Sequence, residues 1–118
     1  MRINSSALGF ALVAMASLVK ADFYANFFDD DNCSVNGGMG VDIRNTGCLG
    51  EAGRGSFYMP NDGLLVDNVY CLVMSDGDDC GCQSDSIEII AEGGCVQLFN
   101  TNIQTYRFVH GSCGANTC

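Results

Sequence analysis

Two stretches of the chain repeat one another. Phe27 to Tyr58 reads FFDDDNCSVNGGMGVDIRNTGCLGEAGRGSFY, and Met74 to Phe108 reads MSDGDDCGCQSDSIEIIAEGGCVQLFNTNIQTYRF. At an offset of 47, Asp29 falls on Asp76, Asp31 on Asp78, Cys33 on Cys80, Gly47 on Gly94 and Cys48 on Cys95. A one-residue slip in the middle sets Val41 and Ile43 over Ile87 and Ile89. Two copies are too few for a solenoid, which needs about three or more. The expectation is one domain in which two versions of a supersecondary unit, about 23–60 and 70–110, pack face to face.

The N-terminus sets the compartment. Arg2, the apolar run Ala7 to Val19, and then Val19-Lys20-Ala21 match a secretory signal peptide: charged start, short apolar stretch, small residue at the cut. The run falls short of the ~20 apolar residues of a membrane span. Ala14-Met15-Ala16 is a second cleavage candidate. Cleavage after Ala21 leaves residues 22–118 as one exported domain with a short C-terminal tail.

All eight cysteines follow that cut: Cys33, Cys48, Cys71, Cys80, Cys82, Cys95, Cys113 and Cys118. An even count in a short exported chain reads as a disulfide framework. A domain of this size builds a limited core, so covalent staples matter. Metal is the rival. Cys80-Gly81-Cys82 has one spacer where zinc knuckles have two to four, and His110 is the only histidine. Eight cysteines allow 105 pairings. The duplication suggests one bridge inside each copy, Cys33–Cys48 and Cys80–Cys95. Cys71, Cys82, Cys113 and Cys118 then pair among themselves.

Charge excludes some partners. Arg44, Arg54 and Arg107 stand against fourteen carboxylates in residues 22–118, a net charge of −11. Nucleic acid wants a basic face, and an anionic membrane wants basic residues on an amphipathic surface. The remaining classes are cations, basic proteins and neutral glycans. Acidity also simply keeps an exported protein soluble. The expected partner is an extracellular protein or glycan met by a monomer, without membrane insertion.

Strand signals recur at short intervals: Phe23 to Phe28, Gly40 to Arg44, Ser56 to Met59, Leu64 to Met74, Ser86 to Ile90, Cys95 to Phe99 and Tyr106 to Val109. Val41, Ile43, Ile87 and Ile89 alternate with Asp42 and Glu88, which gives period two and one buried face. Fifteen glycines and the Asn/Asp clusters between these runs supply turns. Pro60-Asn61-Asp62-Gly63 is a turn signal between the halves. The fold class is therefore all-β, a disulfide-stapled sandwich of two Greek-key-like motifs.

Each copy has an apolar strand, an Asp/Asn-rich turn with Cys, a second apolar strand, a Gly-Cys pair and a loop leading to a Ser/Thr–aromatic strand. That order resembles the Greek-key motif of the βγ-crystallin superfamily. Phe28-Asp29-Asp30-Asp31-Asn32-Cys33 is similar to that family's first hairpin. Asn100 to Phe108 is similar to its calcium-loop pattern, departing from it at Thr101 and Gln104. The cysteine-rich exported form also resembles small fungal secreted proteins, including effector-like and killer-toxin-like proteins. The resemblance implies a calcium ion between the loop of one copy and the first hairpin of the other. Its ligands would be Asn100, Asn102 and Thr105 with Asp29 or Asp30. A weaker counterpart would use Glu51 and Ser56 with Asp76 or Asp78, where Arg54 repels a cation. Calcium takes six to eight oxygens. The alternative is that these acids are solvated turn residues, favoured there for their local backbone bonds.

Catalytic signals are few. His110 has no nucleophile in clear context, and no carboxyl sits in an apolar run that would raise its pKa. Met39, Met59 and Met74 read as core filler. Asn32-Cys33-Ser34 is formally a glycosylation sequon, crowded by any disulfide at Cys33. The expected function is a non-enzymatic extracellular binding protein of effector type. The alternatives are an antimicrobial or killer-type toxin acting on a protein target, and a structural calcium-binding domain.

Overall fold

The computed structural model describes residues 22–118, and none of them is helical. The expected signal peptide, 1–21, lies outside the described residues. Seven strands follow in order: β1 (Tyr24–Phe28), β2 (Val41–Asp42), β3 (Ser56–Asn61), β4 (Val69–Ser75), β5 (Asp85–Ile90), β6 (Glu92–Gln97) and β7 (Thr105–His110). All seven overlap the β-rich runs read from the sequence, with β6 starting earlier, at Glu92, and β3 taking in Pro60 and Asn61 of the expected turn. The largest difference is at Leu64 to Asn68, which forms a loop before β4 instead of its first residues.

The strands form two antiparallel sheets, ordered β2-β1-β3-β6 and β5-β4-β7. In the second half, β4 and β5 are a hairpin, β6 leaves to pair with β3, and β7 returns beside β4. The first half has the same connectivity. There β1 and β2 pair, Leu49 leaves to bridge Tyr106 on β7, and β3 returns beside β1. Each half is thus a Greek key that lends its third segment to the other half's sheet.

Alternation along the strands buries one face of each sheet. Ala25, Phe27, Phe57 and Met59 come from one sheet, and Tyr70, Leu72, Met74, Ile89, Tyr106 and Phe108 from the other. Phe27 is the centre, with ring centroids 5.6 Å from Phe57, 5.1 Å from Tyr106 and 6.3 Å from Phe108. Tilted aromatic pairs at such distances add about 0.5–1.5 kcal/mol each beyond area burial. Ile43 is buried, and Val41 and Ile87 pack against this core, as the period-two pattern requires. Met59 and Met74 are core residues. Met39 is not: it is 89% exposed, on the loop before β2. The glycines around it carry that segment outward, and its position in a turn-rich stretch outweighs its apolarity.

Four disulfides close the fold: Cys33–Cys95, Cys48–Cys80, Cys71–Cys113 and Cys82–Cys118. The first two correct the expected Cys33–Cys48 and Cys80–Cys95. The cause is the exchange of third segments. Cys95 travels with β6 into the first half's sheet and meets the first hairpin there. Cys48, beside Leu49, is carried to β7 and the second hairpin. Both bridges therefore join the halves. The other four cysteines do pair among themselves.

The last two bridges hold the C-terminal tail. It leaves β7 at Gly111, is tied to β4 by Cys71–Cys113, and ends at Cys82–Cys118. Backbone N–H groups of Thr117 and Cys118 donate to the Gln83 carbonyl, at 2.8 and 3.2 Å. The Gln83 side-chain amide donates to the Gly114 carbonyl at 2.8 Å. With the tail in place, Cys71, Val73 and Ser75, which alternate with the core residues of β4, are buried as well. Among the described residues, no helix is long and apolar enough to cross a membrane.

Candidate functional site

The two acidic hairpins are built alike. Cys33 and Cys80 both take left-handed backbone, φ 56° each. The Cys33 N–H donates to Ser56 Oγ at 3.0 Å, and that hydroxyl donates to the Asp30 carbonyl at 2.6 Å. The Cys80 N–H donates to Thr105 Oγ1 at 3.2 Å, and that hydroxyl donates to the Gly77 carbonyl at 2.8 Å. A hydroxyl at the start of β3 or β7 thus folds each hairpin over its sheet. Gly55 allows the approach: a Cβ there would lie 2.8 Å from the Asp30 carbonyl oxygen.

The proposed calcium ligands divide between three places. Asp29 and Asn100 line one cavity of about 210 Å³, together with Arg54 and Tyr106. The cross-half approach of hairpin acid and loop is present. Arg54 lines the same cavity and donates to Asp29 at 3.0 Å, to Glu51 at 2.8 Å and to the Asn36 carbonyl at 2.8 Å. A cation at Asp29 would have to compete with that guanidinium. Asp30 faces its own turn, accepting from the backbone of Ser34 and Val35 at 3.0 Å each, and from the Ser34 hydroxyl. These bonds, the Ser34 hydroxyl's first, hold its pKa down at about 2. Asn100 accepts the Asn102 N–H in a local turn at 3.0 Å. Thr105 is buried, and its hydroxyl belongs to the second hairpin. Of the weaker set, Glu51 pairs with Arg54 and Ser56 folds the first hairpin. Among the described residues, no group of three or more His, Cys, Asp or Glu is placed to hold a metal ion.

His110 closes β7 as a structural partner. Its ring stacks on Tyr70 with centroids 4.8 Å apart, and its Nε2 donates to the Asp67 carbonyl. Burial and the nearby Asp62 raise the pKa of Tyr70. Asp62 is itself only 2% exposed. It accepts the Leu64 N–H at 3.0 Å and faces the Tyr70 hydroxyl at 3.4 Å. Its own N–H donates to the Ala91 carbonyl at 3.2 Å.

These bonds fix the base of a loop whose tip is apolar. Leu65 is 97% exposed and Val66 74%. From this loop a groove runs along the side of the sandwich. Cavities of about 420, 380 and 680 Å³ follow one another, the first two sharing Ile90 and Glu92, the last two sharing Ile87, Cys95 and Val96. Phe99, 83% exposed, stands at the far end. Asp31, Glu88 and Glu92 are the charged residues of the lining, and no basic residue is among them.

Sequence reasoning did not find this groove. Leu64-Leu65-Val66 directly after an Asn-Asp-Gly turn reads as a strand entering the core. Only the buried Asp62 reveals that the turn residue, and not the aliphatic run, is the part held inside. Comparisons of the chain with protein families, with curated proteins and with solved structures give no match.

Proposed function

We propose that this chain is an exported, non-enzymatic binding protein, built on a duplicated, βγ-crystallin-like Greek-key unit. One observation carries the binding reading. Leu65, Val66 and Phe99 are held in water by a framework of four disulfides and a buried Asp62 anchor. Folding normally hides such side chains, and their exposure at the two ends of one groove fits an interaction surface. Rigidity adds to the case, because a covalently fixed surface loses little conformational freedom on binding. The duplication is supported by the matched hydroxyl–hairpin bonds of Ser56 and Thr105. Export is supported by the disulfides, which persist in oxidising compartments, together with the N-terminal signal pattern.

The test is capture by the oxidised protein from extracellular host and microbial extracts, with a Leu65→Ser/Val66→Ser/Phe99→Ser variant alongside. A partner retained by the wild type and lost by the variant is the expected result. Turnover on a panel of glycosides, peptides and esters that disappears when one carboxylate or His110 is replaced would overturn the reading.

A further inference from the structure

We propose that the β5–β6 side of the sandwich binds an extended, cationic segment of a partner protein, which adds to β6 as a further strand. The proposal rests on the binding reading above and names its surface and partner chemistry.

Three features of this side converge. The first is an open edge. β6 ends its sheet and β5 ends the other, and the single buried residue Ala91 joins them. Each edge presents a row of backbone N–H and C=O groups without a neighbouring strand, the template that strand addition uses. Two glycines lie on the edge strand: Gly93 takes left-handed backbone, φ 88°, and kinks it near its start, while no neighbouring atom lies within 4 Å of a Cβ built at Gly94. Glycine inside a strand marks a place where another backbone can approach closely.

The second feature is the groove between the two edges. Ile87, Ile90, Val96 and Phe99 give it an apolar floor and end wall. Side chains on alternate positions of an added strand would cover them. The six residues of β6 span roughly 20 Å, so a segment of about six to eight residues fits.

The third feature is charge, and it chooses the occupant. The groove's charged residues, Asp31, Glu88 and Glu92, are all acidic. Arg44 and Arg54 are engaged in ion pairs with Asp42, Asp29 and Glu51. A second copy would bring another −11 to the same edge and be repelled. An anionic bilayer is repelled likewise. A strand alternating aliphatic residues with lysine or arginine complements both the floor and the rim.

The probe is a blocked octapeptide of alternating valine and lysine, titrated into the isotopically labelled, oxidised protein. Expected are saturable amide shifts confined to Ile87–Ile90 and Gly93–Phe99, with slowed hydrogen exchange along β6. Added salt weakens the binding. Glu92→Lys weakens it about fivefold and admits the valine–glutamate octapeptide, which the wild type refuses. Phe99→Ala weakens it without altering the rest of the spectrum. Both residues are exposed, so the variants fold. No saturable shift up to millimolar peptide overturns the proposal. So do equal binding of the glutamate peptide by the wild type, shifts elsewhere, or self-association through β6 without peptide. A captured partner that the Glu92→Lys/Phe99→Ala variant still retains overturns this site while leaving the binding reading intact.

Discussion

Arg54 reaches the Asp29 carboxylate at 3.0 Å, from within the loop that leads into β3. The guanidinium sets a fixed positive charge beside the Asp29–Asn100 cavity, with which any cation there would have to compete. Replacing it with glutamine is expected to strengthen a calcium response at Asp29 and Asn100. The cost is about 1 kcal/mol of stability, since one side of the pair is well exposed. Amide shifts under a calcium titration of wild type and Arg54→Gln compare the two directly. Identical responses would show that Arg54 does not compete for the site.

Ser56 and Thr105 each satisfy two backbone groups of a folded hairpin. Ser56→Ala leaves the Cys33 N–H and the Asp30 carbonyl without partners, and Thr105→Ala does the same to Cys80 and Gly77. Each alanine variant should lose about 1–3 kcal/mol in chemical denaturation. Thr105→Ser should keep most of that stability, because the hydroxyl remains. A loss of the same size in Thr105→Ser would assign the effect to the methyl group's packing instead.

Strands and the core face were legible in the sequence because they follow from short-range pattern. Period two placed Ile43 and Ile89 inside, and glycine and asparagine clusters marked the turns between. The disulfide pairing was not legible. Cys33 and Cys48 are separated as Cys80 and Cys95 are, and equal spacing suggests local closure. The exchange of β6 and Leu49 between sheets is a long-range event that no local spacing encodes. The resemblance of the Asn100–Phe108 loop marks Thr105 as a cation ligand but carries no sign of its partner, the Gly77 carbonyl nearly thirty positions upstream. The groove escaped for a similar reason. It forms where the chain turns the corner at Ala91 and comes alongside the Leu64–Val66 loop.

Acid should loosen the first hairpin selectively. Asp30 titrates at about 2, down from an ordinary 3.8, because its ionised form accepts the Ser34 and Val35 bonds. A depressed folded-state pKa contributes stability that is present above 3.8 and lost as pH falls toward 2. Amide shifts of Ser34 and Val35 should therefore follow a transition near pH 2, absent in Asp30→Asn. At the other extreme, burial and then Glu51 push Tyr106 up to about 12 from 10.0. A raised folded-state pKa gives the opposite sign, so stability falls as pH rises from 10 toward 12. Denaturation midpoints should drop across that interval, and Tyr106→Phe should flatten the drop. A midpoint that stays level in the wild type would contradict the buried position of the ring.

The two classes of disulfide should fail differently. Alkylation without reductant should label nothing, since no cysteine is free. Cys33–Cys95 spans 62 residues and Cys82–Cys118 spans 36. Loop entropy alone puts both at about 4 kcal/mol and separates them by about half a kcal/mol. Their positions separate them further. Cys33–Cys95 ties the first hairpin to the strand exchanged from the other half, so its loss should loosen the contact between halves. A Cys33→Ser/Cys95→Ser variant is expected to speed hydrogen exchange in β3, β6 and the first hairpin together. Cys82–Cys118 ties down only the end of the tail, and Cys71–Cys113 still holds its start beside β4. A Cys82→Ser/Cys118→Ser variant should therefore open residues 114–118 and the Gln83 turn, with β4 and β7 still protected. It should cost less than the loop count, about 2 kcal/mol, since the released ends stay partly ordered. Global exchange in this second variant, at the rate of the first, would show that the tail is a structural member of the sandwich and not a strap laid over its outer face.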